Sequence, residues 1–177
     1  LHENVEGAFR ERGAGVGLAA GAGVQALTCA DFDGNGLLDL FAARSPRLGA
    51  SRPDRWTGAT NGLPGRLFLQ IGPLQFRECA AERGLAGARW DRAAAAADAD
   101  GDGDVDLFVA RDFGPDSYFE NDGTSHFTDR AAAVGLADGG RGAGADWGDW
   151  DGDGALDLLV SGSASLVRAP SATDRDA

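Results

Sequence analysis

One pattern, written three times, constrains this chain more than any other feature. It reads Asp31-Phe32-Asp33-Gly34-Asn35-Gly36-Leu37-Leu38-Asp39-Leu40, then Asp98-Ala99-Asp100-Gly101-Asp102-Gly103-Asp104-Val105-Asp106-Leu107, then Asp149-Trp150-Asp151-Gly152-Asp153-Gly154-Ala155-Leu156-Asp157-Leu158. Asp or Asn fills positions 1, 3, 5 and 9, and Gly fills 4 and 6. A second signature keeps step with it. A Phe is followed nine residues later by the Leu of a Gly-Leu pair: Phe9 to Leu18, Phe76 to Leu85, Phe127 to Leu136. Each Phe lies 22 residues before the first Asp of the next acidic segment. Two unrelated motifs held in one register three times mark a structural repeat.

The acidic segments lie 67 and then 51 residues apart, so the first full unit carries an insertion of 16 residues. It falls within 43–65, a stretch rich in Arg, Gly, Pro and Ser that reads as a surface loop. In the second unit, strands are expected over 92–97, 105–110 and 117–120, with a fourth beginning near Phe127. Val105–Ala110 is mostly apolar, as in a strand buried on both faces. With 28 Gly and many short apolar runs, the chain reads as all-β, in units of four short strands.

Five carboxylates between Asp98 and Asp106 repel one another unless a cation sits among them. Hard oxygen ligands at alternating positions of a glycine-turned loop suit Ca²⁺, which takes 6–8 oxygens; Mg²⁺ prefers to keep its waters. Side chains at positions 1, 3, 5 and 9 would bind, with the backbone carbonyl of position 7: Leu37, Asp104 or Ala155. The glycines allow the positive φ that wraps the chain around an ion. Asp/Gly turns also occur without metal, but three in register favour one ion per loop, about three in all. The EF-hand is excluded, because it needs a Glu at position 12 and flanking helices. Ala42, Val109 and Val160 stand there, each in a strand-like run.

Other chemistry is thinly represented. A net charge of −12 argues against nucleic acid and against anionic membranes. No apolar run is long enough for a transmembrane helix, and residues 1–6 show no signal-peptide pattern. The chain contains no Met, so it is expected to be processed, trimmed or partial. Two Cys and two distant His support no zinc site. Cys29 and Cys79 are placed on the first and fourth strands of one sheet. Three spacings of about 4.8 Å then separate them, beyond disulfide reach, so both are expected to be buried free thiols. Gly15–Ala20 matches a loose dinucleotide pattern but lacks the helix it needs. Trp90, Trp147 and Trp150 are expected in packing, with Trp56 of the insertion as the exposed exception. His126 is expected to be an exposed, inactive histidine. No G-x-S-x-G elbow is present. Metal-bound carboxylates make poor general acids, because the cation keeps them ionised; the chain is therefore expected not to be an enzyme.

Gly144-Ala145-Asp146-Trp147-Gly148-Asp149 through Val160 resembles the FG-GAP/VCBS repeat of integrin-α-like β-propellers. Tyr118-Phe119-Glu120-Asn121-Asp122-Gly123 through Asp129, followed by Gly135-Leu136, resembles the variety in the ASPIC/UnbV and cartilage-acidic-protein group. The resemblance covers most of 5–162. It implies a propeller of typically seven blades, with one Ca²⁺ in the hairpin joining a blade's first two strands. Its ligands carry over to Asp31, Asp33, Asn35 and Asp39, to Asp98, Asp100, Asp102 and Asp106, and to Asp149, Asp151, Asp153 and Asp157. Gln70-Ile71-Gly72-Pro73 departs from the Asn/Gly-rich turn of the pattern.

The expected organisation is the last strand or strands of one blade over 1–22 and a full blade over 23–89 that carries the inserted loop. A full blade over 90–140, half a blade over 141–162 and a tail or linker over 163–177 complete it. Three blade equivalents cannot close a ring, so the chain is expected to be a fragment of a longer chain or a partial propeller completed by protein partners. The expected function is a calcium-stabilised, non-catalytic interaction, scaffold or adhesion module outside the cytoplasm, secreted or periplasmic. The alternatives are an accessory subunit of a membrane-associated complex, held by its strand edges without inserting, or part of a polysaccharide-active enzyme. The Ala-, Gly- and Arg-rich composition hints at a bacterial source.

Overall fold

The structure is a computed structural model and describes residues 1–13, 15–19, 21–46 and 51–163. Its strands pair antiparallel throughout. The hairpin β1 (His2–Val5) and β2 (Ala8–Glu11) comes first. A four-stranded sheet follows, made of β3 (Val24–Ala30), β4 (Asp39–Arg44), β5 (Arg66–Gly72) and β6 (Gln75–Glu78). A second contains β7 (Asp91–Ala97), β8 (Asp106–Arg111), β9 (Ser117–Asn121) and β10 (Phe127–Asp129). β11 (Arg141–Gly148) and β12 (Asp157–Ser163) form a final pair. In both four-stranded sheets, spatial order follows chain order. The tail expected over 163–177 lies outside the described residues except for Ser163, as do residues 47–50 of the insertion.

Period-two alternation explains how the sheets stack. Leu107 and Val109 of β8 point to one face and join Phe41, Leu67 and Leu69 of the first sheet in one core. Phe108 and Ala110 point to the other and join Trp147 and Leu158 of the final pair. β8 is therefore apolar on both faces, as the run Val105–Ala110 predicts. Phe32 closes the first core edge-to-face against Phe127, 5.7 Å between ring centres.

The sequence predicts strands only, but a single helical turn follows the fourth strand of each four-stranded sheet. A 3₁₀ turn spans Ala80–Arg83, and α1 spans Ala131–Val134. These turns account for the Gly-Leu signature. Gly84 and Gly135 end them with φ of 84° and 81°, and Leu85 and Leu136 donate back to the carbonyls of Ala80 and Ala131. Gly84 has a second constraint. A Cβ there would lie 2.2 Å from the carbonyl oxygen of Phe127 in the next sheet. Gly17 stands in the same relation to Phe76, at 2.0 Å. The register between signature and loop is thus the step from one sheet to the next.

Asn121 fastens that step. It is buried, and its Nδ2 donates to the carbonyls of Phe32 in the first acidic loop, at 2.9 Å, and of Val105 in the second, at 3.0 Å.

Two expectations about burial fail. Cys79 is buried and free, but Cys29 is exposed. Cys29 shares a strand face with Leu27, itself exposed, while Ala26 and Ala30 on the opposite face pack into the core toward the second sheet. Trp150 is exposed too, although its repeat equivalent Phe32 is buried. Phe32 has Phe127 of a following sheet to cover it, and Trp150 has no such neighbour among the described residues.

The end of the second sheet away from its acidic loop holds buried charge. Asp91 and Arg111 face each other at 3.5 Å, and Arg111 also donates to the carbonyl of Pro115 and to Ser117, which in turn bonds Asp129. Asp116 accepts the Arg111 N–H at 2.7 Å. Burial raises the carboxyls of Asp91 and Asp116 to about 6, against the pull of Arg111; Asp138 adds to the rise at Asp116.

Two outcomes are expected. Asn121→Ala strands two buried carbonyls and costs about 2 kcal/mol; an unchanged urea midpoint would show that these bonds are dispensable. Asp116 carries the second outcome. Its folded value lies above the unfolded 3.8, so the folded state holds more protons between these values and stability falls as pH rises through that window. Asp116→Asn, which keeps the acceptor, is therefore expected to gain on the wild type by on the order of 2–3 kcal/mol between pH 4 and 7. Thermal melts across that range would show a constant difference if Asp116 does not titrate this way.

Candidate metal centres

The three acidic segments form hairpin loops before β4, β8 and β12, and their local geometry repeats. The N–H of position 6 donates to the carboxylate of position 1: Gly36 to Asp31 at 2.7 Å, Gly103 to Asp98 at 3.1 Å, Gly154 to Asp149 at 3.0 Å. The N–H of position 7 donates to the side-chain oxygen of position 5: Leu37 to Asn35, Asp104 to Asp102, Ala155 to Asp153. The N–H of position 5 donates to position 3, from Asn35 to Asp33, Asp102 to Asp100 and Asp153 to Asp151. These bonds curl each loop around its own carboxylates. The curl needs φ of 69° and 83° at Gly34 and Gly36, 78° and 98° at Gly101 and Gly103, and 79° and 91° at Gly152 and Gly154. A side chain would meet no obstacle at any of the six. Backbone conformation alone calls for glycine there.

In each loop, three carboxylates bring oxygens within 4.8 Å of one another: Asp31, Asp33 and Asp39; Asp98, Asp100 and Asp102; Asp149, Asp151 and Asp153. Oxygens bound to one Ca²⁺ at 2.3–2.6 Å lie no more than about 5 Å apart, so the residues present fit such an ion. Like charges leave their mark on the second loop. Desolvation first, then Asp106 and Asp102, raise the Asp100 carboxyl above its usual range. Desolvation and the carboxylates of Asp102, Asp98, Asp122 and Asp100 do the same to Asp104.

Position 9 has a role that reasoning from ligand spacing misses. Asp39 and Asp106 are buried, and each clamps three parts of its sheet. One oxygen accepts the N–H of loop position 2, from Phe32 at 2.8 Å or Ala99 at 3.2 Å. The other accepts an N–H of the third strand, from Gln70 at 2.7 Å or Asn121 at 2.9 Å. Tyr118 adds its hydroxyl to Asp106 at 2.6 Å. Asp157 repeats the first contact, from Trp150 at 3.1 Å, but stays exposed. Asp39 remains within the first oxygen cluster, whereas Asp106 and Asp157 are not in theirs. A carboxylate placed between a glycine loop and an apolar strand was the available signal. In the first loop Asn35 also reaches the third strand, donating to the carbonyl of Gln70 at 3.1 Å. The turn at Gly72-Pro73 that departs from the repeat pattern still joins β5 to β6, with Leu74 at a φ of 52°.

The two kinds of carboxylate are separable by substitution. Asp106→Asn sets an amide against the Ala99 N–H, and is expected to destabilise the cation-free protein by about 2 kcal/mol. Asp100→Asn removes a repelling charge and is expected to raise the melting temperature of the cation-free protein. Melts in EGTA that rank the two variants the other way would refute the division.

Residues 98–160, from the second acidic loop to β12, match the FG-GAP-like repeat. Over 144 residues, 81% of this chain, the sequence is 27% identical to cartilage acidic protein 1 of Mus musculus. The same identity and coverage hold for cartilage acidic protein 1 of Homo sapiens. The chain spans 22% and 21% of the length of these two relatives. By fold, loop geometry and sequence, the chain thus carries an FG-GAP-like repeat and is distantly similar to cartilage acidic protein 1.

Proposed function

We propose that this chain is a calcium-stabilised segment of a β-propeller that serves as a non-catalytic interaction or scaffold module outside the cytoplasm. The observation that carries the proposal is the threefold identity of the acidic loops. Each arranges its backbone donors to hold carboxylate oxygens together, at a spacing one Ca²⁺ can span. Bound Ca²⁺ would supply the positive charge that offsets the crowded carboxylates. Asp31, Asp33, Asn35 and Asp39 would hold one ion, and Asp98, Asp100 and Asp102 a second. Asp149, Asp151 and Asp153 would hold a third. Asp106 and Asp157 in this reading secure the loop rather than the ion. Because the oxygens are brought together only in the folded chain, cation affinity becomes folding free energy.

The four-stranded sheets, stacked face to face in chain order, serve as blades in this reading. β12 leaves an edge with Leu159 and Val160 exposed, which suits a further strand from other blades or from a protein partner. Recognition falls to the inserted loop and the rim beside it. An extracytoplasmic setting accords with sites of modest affinity, which fill at roughly 10⁻⁴–10⁻³ M Ca²⁺.

Trp150 sits inside the third loop and is exposed. It offers a direct test, since terbium replaces calcium and is sensitised by a nearby indole. Titration with Tb³⁺ is expected to give luminescence that Ca²⁺ displaces and Trp150→Phe largely removes. Calorimetry is expected to count about three Ca²⁺, with a melting temperature that rises as they bind. No luminescence, no heat and no shift would reject the metal reading.

A further inference from the structure

The inserted loop builds a cavity that none of the repeat signatures explains. Its residues lie across the turn between β8 and β9. Ala59 donates to the carbonyl of Phe113 at 2.7 Å, Trp90 donates to Asn61 at 3.1 Å, and Leu63 bridges Arg89 with a bond in each direction. Asn61 also holds the loop's own backbone, at the carbonyl of Arg52, 2.7 Å away. Between loop and turn lies a cavity of about 530 Å³, lined by Arg52, Pro53, Trp56, Asp112, Phe113 and Arg141 among others. That volume is within the ordinary range of small-ligand sites.

Its chemistry is specific. Phe113, at a φ of 61°, forms an apolar wall. A non-glycine residue held in this region is strained and marks a constrained site. Trp56 packs edge-to-face on Phe113 at 5.5 Å, yet the indole remains 73% exposed. The Arg141 guanidinium lies over Phe113 at 5.3 Å. Asp112 is the buried polar group of the cavity, its side chain 10% exposed. Arg92 pairs with it at 3.6 Å, beyond hydrogen-bond distance, and among the described residues no hydrogen bond closes its carboxylate. On a chain of net charge −12, Arg52, Arg92 and Arg141 gather around this one cavity.

These groups together select a ligand. An open indole offers a stacking face, the guanidinium groups offer paired donors to a carboxylate, and Asp112 offers an acceptor to hydroxyls. A neutral sugar leaves the arginines without a partner. A flat aromatic acid leaves Asp112 with no hydrogen-bond donor, only its longer contact to Arg92 at 3.6 Å, and an acceptor without a donor forgoes binding energy. We propose that the cavity formed by Trp56, Phe113, Asp112, Arg52 and Arg141 binds an acidic saccharide, a uronic acid unit stacked on Trp56 with its carboxylate toward the arginines and a hydroxyl on Asp112. This gives a ligand class to the recognition role proposed above for the inserted loop. It does not require the metal reading, because the cavity and the second acidic loop flank opposite ends of β8. Six residues at about 3.3 Å each separate them.

The test is a calorimetric titration of the full chain with trigalacturonate, in Ca²⁺ and again in EGTA. Maltotriose, benzoate and triglutamate serve as comparison ligands. Trigalacturonate is expected to bind at least about tenfold more tightly than any of the three, and Trp56→Ala and Arg52→Gln are each expected to weaken it about tenfold, a loss of ~1.4 kcal/mol. Both altered side chains are exposed, so unchanged melting curves will separate lost binding from lost folding. Equal binding of maltotriose, preference for benzoate or triglutamate, or no binding at all would overturn the proposal. So would full affinity in Trp56→Ala, the sign of Ca²⁺ bridging the saccharide to the acidic loops. The Ca²⁺-dependent melting shift is read independently, so the saccharide and metal readings fail separately.

Discussion

The structure depends on a buried carboxylate that ties each acidic loop to its own sheet. Asp39 and Asp106 each accept backbone N–H groups from an acidic loop and from the third strand of the same sheet. Without that acceptor, the loop and the strand would bury unpaired donors, which a fold of this size can ill sustain. The carboxylate is expensive to bury, and desolvation raises both residues above their usual range. Hydrogen bonds from backbone, and at Asp106 from Tyr118, offset that cost. Asp157 has the same first contact but no third strand beside it among the described residues, and it lies exposed. The clamp is therefore a property of a complete sheet rather than of the loop.

A second set of contacts turns separate sheets into a stack. Gly17 and Gly84 let one unit press against a carbonyl of the next, and Asn121 ties the second sheet to the first acidic loop. The helical turns before Gly84 and Gly135 bring the chain round to start the next sheet. Loop, clamp and step share residues: Phe32 donates to Asp39, offers its carbonyl to Asn121 and packs on Phe127.

Much of this was legible in the chain. The acidic loops, their glycines at positive φ and the doubly buried second strand all follow from local chemistry and alternation. What misled was the environment. Cys29 and Trp150 occupy positions that look like packing positions, and both are exposed because the face each presents has no described neighbour. Position 9 carries a second role beside the one that its spacing from the other acids suggests. Its backbone partners lie 15 and 31 residues further on, at Asn121 and Gln70, a distance no local pattern reports.

The sequence by itself determined the repeat, the strand pattern, the three clusters of carboxylate oxygens and the site of the insertion. These rest on interactions among residues close in the chain, so composition and spacing carry them. Only the tertiary structure decided what the insertion does. It places Trp56 against Phe113 and beside Asp112 and Arg141, residues that are remote in sequence and belong to another sheet and its neighbour. Side chains meet there because the loop docks across a turn by backbone hydrogen bonds. Such bonds can form with almost any sequence, and they therefore leave little trace in it.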